Sequence, residues 1–272
     1  MAPNLKDDIN SLKQKIQDEN EINNYKLTEF HNEFSKNDVT CDALNQLNDD
    51  GFAYIKADFY GIEQNCKKLK ELKNTYETLS KDPSPGNRYR AYTCYEWIPN
   101  EQNLKKQNST QYFQSKEYNY IDGGNIRIFD PISSTFLENH ILKDVIEKDI
   151  ELAKQTGIIN FDETFELGLH QIRYRAQGIE PAYSSPLWLH RDDEPLVFVH
   201  LFNLSENAIG GNNLIATTPK TITHIIQLKE PLETILLTKK YYHAVTPLGS
   251  ANGDPAFRDI LLVTFKKMKN DI

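Results

Sequence analysis

Phe165-Glu166-Leu167-Gly168-Leu169-His170-Gln171-Ile172-Arg173-Tyr174-Arg175-Ala176 opens the part of the chain that decides its fold. Leu196-Val197-Phe198-Val199-His200-Leu201-Phe202-Asn203-Leu204 follows, then shorter runs at 213–217, 222–228, 234–238, 241–247 and 257–267. Gly, Pro and Asn turns separate them. Short β-rich runs at this rhythm predict an antiparallel barrel or sandwich, because a parallel βαβ fold needs a crossover helix between strands.

Outward from this core, about 160–267, the N-terminal half reads as mostly helical support. Ser133-Ser134 is an N-cap signal for a helix over about 135–155, and Gly157 is placed to end it. Residues 61–80 repeat apolar positions at helical period, and Gly51-Phe52-Ala53-Tyr54-Ile55 reads as a short strand. Asn87-Arg88-Tyr89-Arg90-Ala91-Tyr92 alternates as a strand with one wet face would. Gln111-Tyr112-Phe113-Gln114 and Asp122-Gly123-Gly124-Asn125-Ile126-Arg127 carry a Gly-Gly hairpin signal between them. In residues 1–38, Ile9, Leu12 and Ile16, then Leu27, Phe30 and Phe34, mark one or two amphipathic helices. These either pack on the body or dock a partner. The expected architecture is α+β: an N-terminal helical extension over 1–40 and a single domain over 41–272.

The 272 residues carry 31 Lys+Arg against 39 Asp+Glu, a formal charge of −8 without a basic block. That balance argues against nucleic-acid or anionic-membrane partners, since phosphate contacts need clustered Lys and Arg. Three cysteines, Cys41, Cys66 and Cys94, form neither a disulfide framework nor a zinc CxxC pair. No apolar run approaches the ~18 residues of a membrane span, and the first residues lack a signal peptide's apolar segment. A cytoplasmic protein is expected.

Chemistry concentrates at Trp188-Leu189-His190-Arg191-Asp192. In a strand, residues i and i+2 share a side, so His190 and Asp192 can reach one point. A third ligand from a distant strand would complete a 2-His-1-carboxylate set with open metal positions. An HxD alone arises often by chance, so its company matters. His200 sits in same-face alternation with Phe198 and Phe202 and reads as a satisfied core histidine. His224 has no titratable neighbour in sequence. His243 lies in Tyr242-His243-Ala244-Val245-Thr246-Pro247, and 15 residues on comes Arg258, the only arginine after Arg191. Arg258 would share a strand face with Ile260, Leu262 and Thr264. A guanidinium on such a face needs an anion, either a ligand carboxylate or a structural Asp or Glu.

HxD, a histidine some fifty residues on and an arginine fifteen beyond it resemble the iron(II)/2-oxoglutarate-dependent dioxygenases. Within them, the chain is similar to the bacterial family that includes free L-isoleucine and L-leucine hydroxylases. Gln171-Ile172-Arg173, Asn207 through Asn212, Tyr242 through Pro247 and Phe257-Arg258-Asp259-Ile260-Leu261-Leu262-Val263-Thr264-Phe265 carry the likeness, with Gln111 through Gln114 and Tyr118 through Phe129. It spans roughly residues 50–267. The resemblance implies a double-stranded β-helix, or cupin-like jelly-roll barrel, with helices outside. His190, Asp192 and His243 would hold Fe(II), Arg258 would grip the distal carboxylate of 2-oxoglutarate, and Gln171 would join it there. O2 is then the third cofactor, and succinate and CO2 leave. The Asp192 carboxylate points to hydroxylation, since related halogenases lack it.

For the substrate, expected to be a free amino acid or similar small polar metabolite, Arg173 and Arg127 lead the candidates to meet a carboxylate. Arg88, Arg90 and Arg175 stand behind them. Asp193 or Glu194 would meet an ammonium, and Trp188 and Tyr92 would wall the pocket. A homodimer is left open. Two other readings compete: a peptide or protein hydroxylase of the same superfamily, and a non-catalytic cupin-like metal-binding or sensing module.

Overall fold

The computed structural model describes residues 39–268; the expectations for residues 1–38 lie outside them. The strands are β1 (Phe52–Ile55), β2 (Arg88–Ile98), β3 (Asn103–Lys106), β4 (Gln111–Phe113), β5 (Ile126–Ile128), β6 (Phe165–Ala176) and β7 (Leu196–Leu204). They continue as β8 (Ala208–Gly210), β9 (Asn213–Thr218), β10 (Thr221–Ile226), β11 (Thr234–Thr238), β12 (Tyr242–Val245), β13 (Leu248–Ser250) and β14 (Ala256–Lys267). The main sheet has seven strands in the order β1-β11-β7-β14-β6-β2-β3. A smaller sheet, β10-β9-β12, packs Ile215 of β9 into a cluster with residues of the main sheet, and β8 pairs with β13. This is an α+β jelly roll.

Neighbouring strands of the main sheet run antiparallel, and both of its faces are covered. That is why β7 is apolar almost throughout rather than alternating. On the outer face Phe198, Phe202, Leu261, Val263 and Phe265 pack against the helices. On the inner face Val197, Val199, Ile172, Ile260, Ile215 and Ile235 form a second cluster. The helix His140–Thr156 supplies Ile141, Leu142, Val145 and Leu152 to the outer core. The single helix expected over 135–155 is divided. Ser133 caps a short turn, Ser134–Leu137, and Asn139 restarts the chain by accepting from the Ile141 N–H. Gly157, at φ 66°, closes it as expected.

Two burial findings matter for the site. His200 is fully buried and satisfied, bonded to Thr234 Oγ1 at 2.8 Å and Asp149 Oδ2 at 2.9 Å, as its same-face phenylalanines implied. The barrel is also wider than the expected 160–267 core. β2 runs along β6 for ten paired positions, Arg88↔Tyr174 to Trp97↔Phe165. Its face bearing Arg88 and Arg90 is not wet: they are 4% and 7% exposed and line an interior cavity.

Candidate active site

β12 carries His243, and His190 lies on an isolated bridge to it, not in a strand as its HxD spacing assumed. The two backbones exchange both hydrogen bonds, at 2.9 and 2.8 Å, and the rings stand 4.4 Å apart. Asp192, on the irregular chain just after, reaches both: its oxygens are 3.6 Å from His190 Nε2 and 3.2 Å from His243 Nε2. One donor atom from each of the three falls within 4.8 Å of the others. His190 Nδ1 donates to the Trp188 carbonyl at 2.9 Å, which leaves the Nε2 lone pair facing Asp192 and His243. Two imidazoles and one carboxylate on one side of an open cavity fit a divalent iron with free positions.

Charge states suit such a site. Burial, then the neighbouring His243, holds His190 down at about 4. Burial alone would raise Asp192, but His243 and His190 outweigh it and hold the carboxylate at about 2. A pH dependence follows for the metal-free protein. Unfolded His190 takes up a proton near 6.5, while the folded residue refuses it until about 4. The unfolded state therefore binds more protons between these values, and stability falls as pH drops through that window. Thermal melts of the metal-free protein from pH 7 to 4 should show this loss, reduced in His190→Gln; a flat midpoint in the native chain would contradict it.

Arg258 comes from β14, inner face, opposite Tyr174. It is 2% exposed, and Nη2 donates to Asn213 Oδ1 at 3.3 Å. Nη1 is buried with no hydrogen-bond partner, and no carboxylate of the described residues lies within ion-pair distance. The structural Asp or Glu that would have explained this arginine is missing there. Gly211, at φ +68°, makes room: a Cβ would stand 3.1 Å from Arg258 Cδ. An orphaned guanidinium in the cavity that also holds the triad fits an incoming carboxylate.

The remaining expectations divide. Arg127 lines the cavity. Gln171 and Arg173 do not: they point to the outer face, where Gln171 donates to Thr75 Oγ1 at 2.8 Å and Arg173 grips Asp259 at 2.6 and 2.8 Å. The register decides this, because Asp259, not Arg258, is the β14 partner of Arg173. Trp188 is half-exposed and bonded to the Pro219 carbonyl, so only its backbone serves the site. Asp193 stands outside the cavity lining, near Lys239 and Lys266 at 3.8 and 4.0 Å. Tyr92 is core: it stacks behind His170 at 4.5 Å and donates to Glu166.

What sequence reasoning missed or ranked low is the far wall: Arg88, Arg90, Tyr112, Gln114, His170 and Glu194. Arg88 and Arg90 share one face of β2, a signal visible in their period-two spacing. The hairpin β4–β5 pairs Tyr112 with Arg127 and presents both inward. Burial, then Arg90 and Arg127, holds His170 well below the usual imidazole range. It stays neutral and accepts from Arg90 Nη2 at 2.5 Å. Burial, then Asp192, pushes Glu194 up to about 7.

A jelly roll with a 2-His-1-carboxylate cluster and an inward arginine defines the class of 2-oxoglutarate-dependent oxygenases. A family model described as 2OG-Fe dioxygenase matches residues 73–264, and the chain belongs to that family. Its cofactors are Fe(II), 2-oxoglutarate and O2, and it is a dioxygenase. The L-isoleucine-4-hydroxylase of Bacillus thuringiensis is 45% identical over 225 residues, covering 82% of this chain and 94% of the relative. The 3(1)-hydroxy-L-isoleucine 4-dioxygenase of Pantoea ananatis (strain AJ13355) is 38% identical over 233 residues, covering 81% and 94%. The crystal structure of IDO from Bacillus thuringiensis superposes with a TM-score of 0.77 at 41% identity, over 85% of this chain and 100% of that one. A bsmA homologue from Methylobium petroleophilum PM1 shares the fold, with a TM-score of 0.73 at 21% identity, over 84% and 93%. Among the described residues, no helix is long and apolar enough to cross a membrane.

Proposed function

We propose that this dioxygenase hydroxylates the side chain of a free aliphatic L-amino acid, isoleucine first among candidates, while 2-oxoglutarate becomes succinate and CO2. His190, Asp192 and His243 hold the iron, and Arg258 holds the distal carboxylate of 2-oxoglutarate. The carrying observation is that one cavity joins the triad and Arg258 to a second set of buried arginines, Arg88, Arg90 and Arg127. One arginine serves the co-substrate. Of the others, Arg88 is paired with Asp82 at 3.4 Å and Arg127 lies 3.9 Å from Asp122. Arg90 has no carboxylate of the described residues within ion-pair distance and is free to meet a second anion. The names of the two curated relatives support an amino acid as that anion.

When bound, iron and 2-oxoglutarate supply the oxidising chemistry; the chain positions and protects. Val197, Val199, Ile235, Leu237, Ile260 and Leu262 make an apolar wall that excludes water and suits an aliphatic side chain. A cytoplasmic site, where both small molecules are plentiful, fits this reading.

Succinate release measured with free amino acids and with peptides tests it. Isoleucine or leucine should raise succinate at least roughly tenfold over no substrate, about 1.4 kcal/mol of coupling, and yield a product heavier by one oxygen. Oxygenation of peptides alone would overturn the proposal.

A further inference from the structure

We propose that Arg90, Arg127 and Glu194 form a clamp that reads both charges of the amino-acid head group. The two guanidiniums take the α-carboxylate, and the Glu194 carboxylate takes the α-ammonium. This rests on the free-amino-acid reading and adds which groups enforce it.

Each member is buried at the cavity and short of a partner. Arg90 has no carboxylate of the described residues within ion-pair distance. It meets only the neutral His170 and the faces of Phe129 and Tyr112, at 4.5 and 5.2 Å, and its Nε is unpaired. Arg127 Nη2 donates to Gln114 Oε1 at 3.3 Å; its nearest carboxylate, Asp122, is 3.9 Å away, and its Nε is also unpaired. Arginine cannot shed its proton to escape burial, so such cations need an anion. Glu194 is 2% exposed, accepts from Tyr112 Oη at 3.1 Å, and has no cation of the described residues within ion-pair distance. Tyr112 spaces the two poles, with its hydroxyl on Glu194 and its ring 5.0 Å from Arg127.

The arrangement of the groups favours the same ligand. A zwitterion brings an anion to Arg90 and Arg127 and a cation to Glu194, whereas an N-acylated amino acid offers Glu194 no cation and an amide offers the arginines no anion. His170 acts as a positioning residue: it accepts from Arg90, lies 3.4 Å from Thr264 Oγ1, and stacks on Tyr92.

The test is anaerobic calorimetry on the iron- and 2-oxoglutarate-loaded enzyme with L-isoleucine, its amide and its N-acetyl derivative. The native enzyme should bind isoleucine roughly ten- to a hundredfold more tightly than either derivative, the range of a hydrogen bond to a charged group. Arg90→Gln should reduce discrimination against the amide only, by several-fold or more since Arg127 remains, and Glu194→Gln should erase it against the N-acetyl form only, with 2-oxoglutarate affinity retained in both. Equal binding of the three ligands by the native enzyme overturns the clamp without reference to any variant. So do variants that keep native ratios. If isoleucine is turned over yet the ratios do not move, the clamp alone fails; if only peptides bind, the free-amino-acid reading fails with it.

Discussion

His190→Ala should reduce substrate-dependent succinate formation to roughly a thousandth of native or less while the barrel stays folded. The expectation is this large because the triad offers three donors and no spare. Among the described residues, the only other imidazoles lining the cavity are His243, already in the set, and His170, engaged with Arg90. Losing one donor of three removes affinity and leaves the remaining pair without a facial arrangement. The fold should survive because the backbone bridge between residues 190 and 243 does not need the imidazole. Two measurements separate metal loss from unfolding. Anaerobic Fe(II) should raise the melting temperature of the native protein and leave the variant unmoved, and the far-ultraviolet spectra should coincide. Succinate formation at native rates by the variant would remove His190 from the iron site.

The nearness of His190 to Asp192 and the inward face of Arg258 were legible from local spacing, though His190 lies on an isolated bridge and not in the strand that spacing assumed, and His243 joined them only through the resemblance. Alternation along Phe257–Phe265 puts Arg258 with Ile260 and Leu262, where it lies. The jelly roll was legible too, since strands 165–176, 196–204 and 234–238 match their observed bounds. The substrate wall was not. Whether Arg173 or Tyr174 faces the cavity depends on the β6–β14 register, a non-local property that a one-residue slip inverts. The burial of Arg88 and Arg90 depends on β2 joining the main sheet beside β6, far along the chain, and on the nearer β4–β5 hairpin covering it, neither of which local spacing reveals. Charge offered no help: an arginine in an ion pair, as Arg173 with Asp259, reads the same as one that waits for a ligand.

Arg258→Ala should raise the Michaelis constant for 2-oxoglutarate by roughly a thousandfold, with a smaller change for the amino acid. Truncating one partner of a buried charged pair costs about 2–5 kcal/mol, which spans some thirty- to several-thousandfold in affinity. Three observations place this arginine in the upper part of that range. It is 2% exposed, so its charge is little screened by solvent. Its Nη1 is unpaired and no acid of the described residues is bound to it, so its charge is left for a ligand carboxylate on the proposed reading. Around it stand Tyr174, Asn213 and Gly211, none of them a cation that could take over. Arg258→Lys should recover only part of the loss, because an ammonium restores the charge but not two parallel bonds to a carboxylate. Methylguanidinium added to the alanine variant should restore turnover if the cavity left behind is the carboxylate site. A variant whose 2-oxoglutarate constant stays within about threefold of native, less than 1 kcal/mol, would move the co-substrate away from β14.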